Sequence, residues 1–246
     1  KTDKAAASVI DNATNHDALE TLYTRGKRFK SRNIIQTIFQ KTWFNTSNSK
    51  AVRNRLKFVM RELHKHLEEI VSIDKEINIL SIASGSSRAI VEVVEKSHYL
   101  KGTKLSITFL DKNPRAIEYS KALSKNISHF NLQWINDTVG NFFKGEIQEK
   151  FDVVEIVGLF DYFDDDKVAQ TLKSIYDILQ DGGIGITANV NHNREEKFIT
   201  NVITWPMIYR SAEDLATLAQ NAGFPLNKMK VFYEPLKIHG IVIARK

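Results

Sequence analysis

A short stretch of the chain, residues 77–88, constrains the fold more than any other. It reads INILSIASGSSR, an apolar half followed by a run of small residues. The apolar half is typical of a strand buried on both faces, and helical spacing of apolar residues begins at Ile90. Strand, small-residue turn and helix, in this order, open a nucleotide-binding βαβ unit. The turn therefore predicts a ligand that approaches the backbone closely and meets the free N–H groups of the helix start.

The glycine pattern of this turn narrows the choice of ligand. A dinucleotide site uses three glycines, but here Gly85 is flanked by Ala83 and Ser87 at the outer two positions. A pyrophosphate needs the closest backbone approach, so the pattern disfavours NAD. A cofactor without phosphate, such as S-adenosylmethionine, tolerates Ala and Ser better. On this stretch alone, an ordinary strand-to-helix turn is the alternative.

The next strand adds a second sign of a nucleoside ligand. Residues 105–110 are apolar and end in Asp111, after which Asn113 and Pro114 begin another helix. An acidic residue at the tip of the second strand can accept hydrogen bonds from both ribose hydroxyls of an adenosine ligand. A turn-forming or helix-capping aspartate is the alternative. The small-residue turn and the acidic tip together predict a ribose-binding site.

Composition bounds the class of protein. The chain has 246 residues, 42% of them hydrophobic, which suits one large α/β domain. It contains no cysteine, no run of 18 apolar residues and no apolar signal core in its first residues, so we expect no disulfide, no membrane span and a cytoplasmic location. The net charge is +6, but the basic clusters at 25–32 and 53–65 have helical apolar spacing. They indicate solvated helix faces and disfavour nucleic acid as a partner. The alternative explanation of the charge is an anionic substrate or weak attraction to a membrane surface.

The order of elements predicts the fold. Residues 1–49 form a helical cap, in which Leu19, Leu22 and Tyr23 share one side; a second side is formed by Ile34, Ile35, Ile38, Phe39 and Trp43. A long helix covers about 50–71, and 50–246 form the main domain. Five strands alternate with helices at 77–83, 105–110, 132–135, 151–157 and 183–189, with helices that include 114–125 and 165–179. Strands at 229–234 and 238–244 are joined by so short a link that the last strand runs antiparallel.

This arrangement resembles the class I S-adenosylmethionine-dependent methyltransferases over about residues 50–246. The resemblance implies a Rossmann-like seven-stranded sheet with an antiparallel last strand and helices on both faces. Residues 158–163 and 205–210 resemble bacterial enzymes that form 3-hydroxy fatty acid methyl esters, and residues 52–56 resemble a related uncharacterised group. The chain departs from the family at Ser81 and Ala83, where an acidic residue and a glycine are usual.

The resemblance assigns the cofactor site by position in the sheet. Ser84 and Gly85 face the methionine end, whose carboxylate pairs with Arg88 or Arg55. Asp111 holds the ribose, Asn136 or Asp137 bonds the adenine amino group, and Leu110, Lys112 and Leu159 pack on the adenine ring. Gly158, also a predicted cofactor-binding residue, falls with Leu159 at the substrate-facing edge after the fourth strand. An N-cap of the following helix is the alternative role for Asp137.

Methyl transfer needs positioning above all, because the leaving thioether is already good. A carboxylate acceptor needs only a cation or hydroxyl to orient it, whereas an amine or hydroxyl acceptor needs a base. The predicted catalytic residues are Tyr162, His192, Tyr209 and Tyr23, with Asp161 and Arg210 as further candidates near the strand ends. Packing is the alternative for Tyr162, and a surface-loop position is the alternative for His192. No metal-ligand set is predicted, since the acidic run at 164–166 suits a helix N-terminus.

Three functions follow in order of preference. The first is methyl transfer to a small molecule, such as a carboxylate or lipid-like acid. The second is attack on the aminocarboxypropyl chain of the same cofactor, by transfer or azetidine ring closure, which releases methylthioadenosine. The third is a non-enzymatic module that binds nucleic acid. A stripe of aromatic and basic residues would support this function, but the sequence has no such stripe. The sequence predicts no oligomeric state.

Overall fold

The computed structural model of the protein describes residues 16–25, 37–38, 41, 44–72 and 75–246. The predictions for the first 15 residues and for Ile34, Ile35, Phe39 and Trp43 concern positions outside these ranges. In the described part of the chain, no helix is both long and apolar enough to cross a membrane.

A single seven-stranded sheet carries the fold, in the order β3-β2-β1-β4-β5-β7-β6. Strands β1 to β5 pair in parallel, and β7 runs antiparallel to both β5 and β6. The predicted Rossmann-like sheet with an antiparallel last strand is therefore confirmed. In chain order the strands are β1 Glu76–Ile82, β2 Lys104–Leu110, β3 Asn131–Ile135, β4 Phe151–Val157, β5 Leu179–Val190, β6 Met229–Tyr233 and β7 His239–Arg245.

Helices cover both faces of the sheet, as the resemblance implies. One face packs against the apolar sides of α2 and α3, and the other packs against α6 and α8. The eight described helices are α1 His16–Tyr23, α2 Ser47–Ile70, α3 Arg88–Lys96, α4 Pro114–Leu123, α5 Val139–Phe142, α6 Asp165–Ile178, α7 Glu196–Asn201 and α8 Ala212–Asn221. Because β1 and β4 lie between two helical layers, their central residues are buried on both faces.

Strand β5 begins earlier than the sequence pattern predicts. The pattern continues the preceding helix to Leu179 and starts the strand at Gly183, but the helix ends at Ile178 and β5 begins at Leu179. Residues 180–183, which the pattern leaves between the helix and the strand, belong to β5, and the pairing with β4 is irregular there. Lys246 stabilises the start of β5, because its amide donates a hydrogen bond to the Gly183 carbonyl at 3.0 Å.

Helix α1 lies against the start of α2 and forms part of the predicted cap. Its Ala18 and Leu22 are buried with Phe44 and Val52. The guanidinium of Arg53 on α2 donates to the carbonyls of Leu22 and Phe44, which ties the segments before α2 to that helix. The predicted division between a cap at 1–49 and a domain at 50–246 stays a prediction, and α2 itself begins at Ser47 with Thr46 as its N-cap.

Candidate functional site

A large cavity opens at the carboxyl ends of the central strands, where ligands bind in open α/β sheets. Its volume is about 1070 Å³. One half is lined by the ends of β1, β2 and β4 and by the start of α5. The other half lies beneath α1 and beside α7, and its wall is mostly apolar. That apolar wall includes Leu19, Leu22, Val52, Phe198, Ile199, Ile203, Trp205 and Met207.

The turn after β1 adopts a left-handed backbone at three alternate positions. Ala83, Gly85 and Ser87 have φ values of 51°, 53° and 60°. Alanine and serine thus take the conformation that glycine adopts most easily, which costs free energy and needs support from the surrounding structure. Gly85 also lies beneath α1, since a Cβ added there would lie 3.6 Å from Cβ of His16. The turn is therefore a shaped cradle beneath α1 despite its incomplete glycine pattern.

Asp111 connects this turn to the second strand. Its Oδ2 accepts a hydrogen bond from the Gly85 amide at 2.8 Å, and its Oδ1 accepts one from the Asn113 amide at 2.8 Å. The Ser84 amide donates to the Leu110 carbonyl at 3.0 Å. Because each carboxylate oxygen has a second lone pair, Asp111 can still accept hydrogen bonds from the cavity side. The structure thus brings the two strongest sequence signals, Gly85 and Asp111, into direct contact.

The other predicted cofactor-binding residues separate into two groups. Lys112, Asp137, Gly158 and Leu159 line the large cavity. Asn136 is exposed, and its amide donates to the backbone carbonyl of Asp111 at 2.9 Å, so it braces the strand tip.

The alternative role considered for Asp137 belongs to its neighbour. Thr138 is the N-cap of α5, and its hydroxyl accepts from the Asn141 amide. Asp137 accepts a hydrogen bond from the Thr138 amide at 2.7 Å, which orients its carboxylate beside the cavity.

Arg88 points to the cap rather than to the large cavity. Its guanidinium donates to both carboxylate oxygens of Glu20 on α1, at 2.9 and 2.6 Å, and to Glu92 at 2.7 Å. Ser84 and Arg88 line a smaller cavity beneath the turn, and the Ser84 hydroxyl is buried without a hydrogen-bond partner among the described residues. With Arg88 engaged by two carboxylates, this geometry favours a structural role for it.

The predicted catalytic residues do not converge. Tyr162 lines the large cavity, and its hydroxyl accepts a hydrogen bond from Trp205 Nε1 at 2.6 Å. Tyr23 lines the smaller cavity. His192 has a side chain 71% exposed, bonds Glu196 and stacks on Tyr209 with ring centroids 5.5 Å apart. Neither His192 nor Tyr209 lines either of these two cavities.

The further candidate Arg210 also has a structural position. Its buried guanidinium donates to the carbonyls of Phe160 and Phe163 and to the carboxylate of Asp165. These bonds fix the loop after β4 against the start of α6.

Four buried ionisable side chains form a cluster that the sequence did not single out as a group. Arg55 of α2 lies 3.8 Å from Asp161 and 3.5 Å from Nδ1 of His239 on β7. Glu155 on β4 accepts a hydrogen bond from Ser81 on β1 at 2.6 Å. The available signal was a charged residue, Glu155, between apolar neighbours in a buried strand.

Burial governs the ionisation of this cluster. It raises the pKa of Glu155 to about 7, although the hydrogen bond from Ser81 and the charge of Arg55 act in the opposite direction. It raises the pKa of Asp161 to about 6, again against Arg55. Burial, and then the positive charge of Arg55, hold the pKa of His239 well below its ordinary value of 6.5. His239 is therefore neutral at neutral pH.

Comparison with known proteins identifies the family. A family model described as "Putative methyltransferase" matches residues 9–246. The chain belongs to this family. Among solved structures, a protein from Bordetella parapertussis described as a possible exported protein is 16% identical, covers 96% of this chain and 80% of its own, and has a TM-score of 0.75. Magnesium protoporphyrin IX methyltransferase from Synechocystis, with bound S-adenosylhomocysteine (SAH), is 9% identical over 100% of both chains, with a TM-score of 0.65. None of the curated proteins compared with the chain matches it.

The predicted class I S-adenosylmethionine-dependent methyltransferase is thereby confirmed at the level of family and fold. The residues of this methyltransferase fit that cofactor: the left-handed turn leaves backbone exposed beside the cavity, and Asp111 is held at its edge with acceptor capacity remaining. Within the described ranges, no group of three or more histidine, aspartate or glutamate side chains is placed to hold a metal ion.

Proposed function

We propose that this protein transfers a methyl group from S-adenosylmethionine to a small apolar carboxylic acid. The observation that carries the proposal is the size and division of the large cavity. At about 1070 Å³ it lies at the upper end of the range of about 300–1,000 Å³ typical of ligand sites. The cofactor-side half carries Asp111, Lys112 and Asp137, and the half beneath α1 and α7 has a mostly apolar wall, which suits a nucleoside cofactor beside an apolar acceptor.

Two polar groups in the acceptor half, His239 and Tyr162, can donate hydrogen bonds to an acceptor molecule. A guanidinium can only donate, so Nδ1 of the neutral His239 is the acceptor of the contact from Arg55, and the ring hydrogen is on Nε2. That Nε2 is buried and has no hydrogen-bond partner among the described residues, while His239 lines the cavity. An unpaired buried donor costs free energy, and an acceptor molecule that offers lone pairs would recover it.

Tyr162 supplies a second donor. Its oxygen accepts from Trp205, so the hydroxyl hydrogen is available to the cavity. Burial, and then the nearby charge of Asp161, raise the pKa of Tyr162, so the phenol remains protonated and does not act as a base. The Tyr162 hydroxyl and the Nε2–H of His239 are therefore two donors that match a carboxylate, which has no proton to lose.

Asp161 is the nearest carboxylate to this half, and it is already engaged. Its Oδ1 accepts a hydrogen bond from the Val190 amide at 2.8 Å, and its Oδ2 lies 3.8 Å from Arg55. This arrangement supports a role in fixing Arg55 and the β4 loop rather than proton abstraction.

When bound, S-adenosylmethionine supplies an activated methyl group on a sulfonium whose thioether leaves readily. The chain's own contribution is then to orient the acceptor carboxylate through His239 and Tyr162 and to exclude water with the apolar wall. Such positioning is the main catalytic requirement for an acceptor that is already anionic.

The test uses acids, alcohols and amines of matched chain length, incubated with S-adenosylmethionine and analysed by mass spectrometry. We expect methyl esters from medium- and long-chain acids, including 3-hydroxy acids, with equal amounts of S-adenosylhomocysteine. Methylation of the alcohols or amines in preference to the acids would overturn the carboxylate assignment.

A variant pair tests the donor role of Tyr162. Tyr162→Phe removes the hydroxyl, and we expect kcat/KM for the acid to fall by about 10- to 100-fold, the scale of a hydrogen bond to a charged group. Tyr176→Phe is the matched control, because Tyr176 packs against Phe224 and lines neither cavity. Equal activity of the two variants would remove Tyr162 from the acceptor site.

A further inference from the structure

A second, smaller cavity of about 60 Å³ lies beneath the turn after β1. It shares Arg55, Ala83, Gly85 and Val157 with the large cavity, so the two meet at the turn. Among the polar side chains that line the smaller cavity, Glu155 is a buried carboxylate in the centre of the sheet.

Glu155 is held by the neighbouring strand. Ser81 on β1 and Glu155 on β4 are paired residues of adjacent parallel strands, and the Ser81 hydroxyl donates to Glu155 Oε2 at 2.6 Å. The other oxygen, Oε1, has no hydrogen-bond partner among the described residues. A buried carboxylate with one oriented oxygen and one free oxygen is expensive unless a ligand completes it.

When Glu155 is ionised, the charges around it do not balance without a further cation. Arg55 is the positive group that acts on Glu155, but it is shared with Asp161 at 3.8 Å. Arg210 also acts on Asp161, but its guanidinium is already bonded to Asp165. The pKa of Glu155 stays raised, at about 7, in spite of Arg55. Arg88, which also lines the small cavity, is engaged by Glu20 and Glu92 and adds no free cation.

We propose that Glu155 binds the primary ammonium group of the cofactor's methionine, so that β4 supplies the carboxylate that β1 lacks at Ser81. The inference rests on the proposed use of S-adenosylmethionine, whose ammonium is the cation that would reach this end of the turn if Asp111 holds the ribose. Ser81 orients the carboxylate by its hydrogen bond to Oε2 and leaves Oε1 for the ligand.

The experiment is calorimetric binding of three ligands to the wild type and to Glu155→Gln. S-adenosylhomocysteine carries both ammonium and carboxylate, decarboxylated S-adenosylmethionine keeps the ammonium alone, and methylthioadenosine has neither. For Glu155→Gln we expect the affinity for the first two to fall by about 10- to 100-fold, with methylthioadenosine unchanged. Glu118→Gln is the matched control, since Glu118 is exposed on α4 and pairs with Lys121.

The three ligands separate the possible outcomes. Equal losses for all three ligands, or no loss for any, would overturn the role of Glu155. No binding of any adenosyl ligand to the wild type would instead overturn the proposed function. If Glu155→Gln fails to fold, Ser81→Ala removes only the orienting hydrogen bond, and a smaller loss confined to the two ammonium ligands is expected.

A pH series provides a second readout. The ligand ammonium pairs with the ionised carboxylate, so wild-type affinity for S-adenosylhomocysteine should rise from pH 5.5 to 7.5, through the pKa of about 7. The other ionisable groups facing this cavity are Arg55 on α2, Tyr23 and His16 on α1, and Arg88 on α3. Because these groups share the cavity with Glu155, the assignment requires the rise to vanish in Glu155→Gln. A rise of equal size in that variant would contradict it.

Discussion

At the scale of single residues, Asp111 has a structural role that its sequence position does not predict. Its location at the tip of the second strand predicts ribose binding. The structure adds that the carboxylate also holds the Gly85 and Asn113 amides, and thereby the turn after β1. A residue that braces its own binding turn should affect both affinity and stability when it is removed.

Asp111→Ala should therefore weaken S-adenosylmethionine binding by about 1–3 kcal/mol and lower the free energy of unfolding by about 1–2 kcal/mol, because two amides lose their acceptor. Calorimetry and chemical denaturation measure the two effects. Asp177→Ala is the control, since Asp177 is an exposed partner of Lys173 on α6. Unchanged cofactor affinity would remove Asp111 from the ribose role.

Residues that act through distant strand neighbours could not be found from sequence. Gly85 and Asp111 belong to a recognisable local pattern of strand, turn and strand tip. Glu155 gains its surroundings from Ser81, 74 residues earlier, and Arg55 meets His239 across 184 residues. No local spacing encodes such contacts, and they depend on strand order and register. His192 and Tyr209, which the local pattern places near strand ends, lie outside both cavities, and their catalytic role stays a prediction.

At the scale of elements, helix α1 is held over the turn by one buried carboxylate. Glu20 is 2% exposed and accepts hydrogen bonds from Arg88 on α3 and from the Tyr119 hydroxyl on α4. Although burial raises its pKa, hydrogen bonds from Arg88 and Ser86 outweigh burial and hold the pKa below 4.5. The ionised carboxylate of Glu20 thus stabilises the packing of α1 over the turn. This stabilisation is lost only as the pH falls through the lowered pKa.

Glu20→Gln should loosen α1 selectively. The glutamine amide is uncharged and has one oxygen where the carboxylate has two, so it loses charge-assisted hydrogen bonds. We therefore expect hydrogen exchange in residues 16–23 to accelerate by about tenfold or more, while β1 and β4 keep their protection. Mass spectrometry of exchanged peptides measures this. Glu118→Gln, which removes an exposed ion pair, should leave α1 unaffected. Unchanged exchange in α1 would show that Glu20 does not hold the cap.

Most elements were predictable because their signals are local. The buried runs of β1, β2 and β4 and the helix-initiating Ser211 and Asn113 are visible in the sequence. The start of β5 was not predictable. It depends on contacts with residues distant in sequence, such as the hydrogen bond from Lys246 to Gly183.

At the scale of the whole molecule, the buried cluster couples stability to pH. The folded-state pKa of Glu155, about 7, lies above its ordinary value of 4.5. The folded protein therefore holds this proton more tightly than the unfolded chain, and the contribution of Glu155 to stability is lost as pH rises from about 4.5 to 7. Ligand binding would recover it at neutral pH if the ligand ammonium replaces the proton.

Glu155→Gln should remove this dependence. We expect the variant, without ligand, to gain stability relative to the wild type by about 1–3 kcal/mol between pH 5 and pH 8, because an uncompensated buried charge is absent. Denaturation at pH 5, 6, 7 and 8 measures the difference. The same free energy difference at every pH would contradict the assignment of this titration to Glu155.

The most direct test of the central claim is the identity of the adenosyl product. The purified protein is incubated with S-adenosylmethionine, with and without a long-chain acid, and the products are quantified by mass spectrometry against an enzyme-free control. Methyl transfer predicts S-adenosylhomocysteine only when the acid is present, in equal amount to its methyl ester. Accumulation of methylthioadenosine without an acceptor would contradict it and would assign the site to chemistry at the aminocarboxypropyl chain.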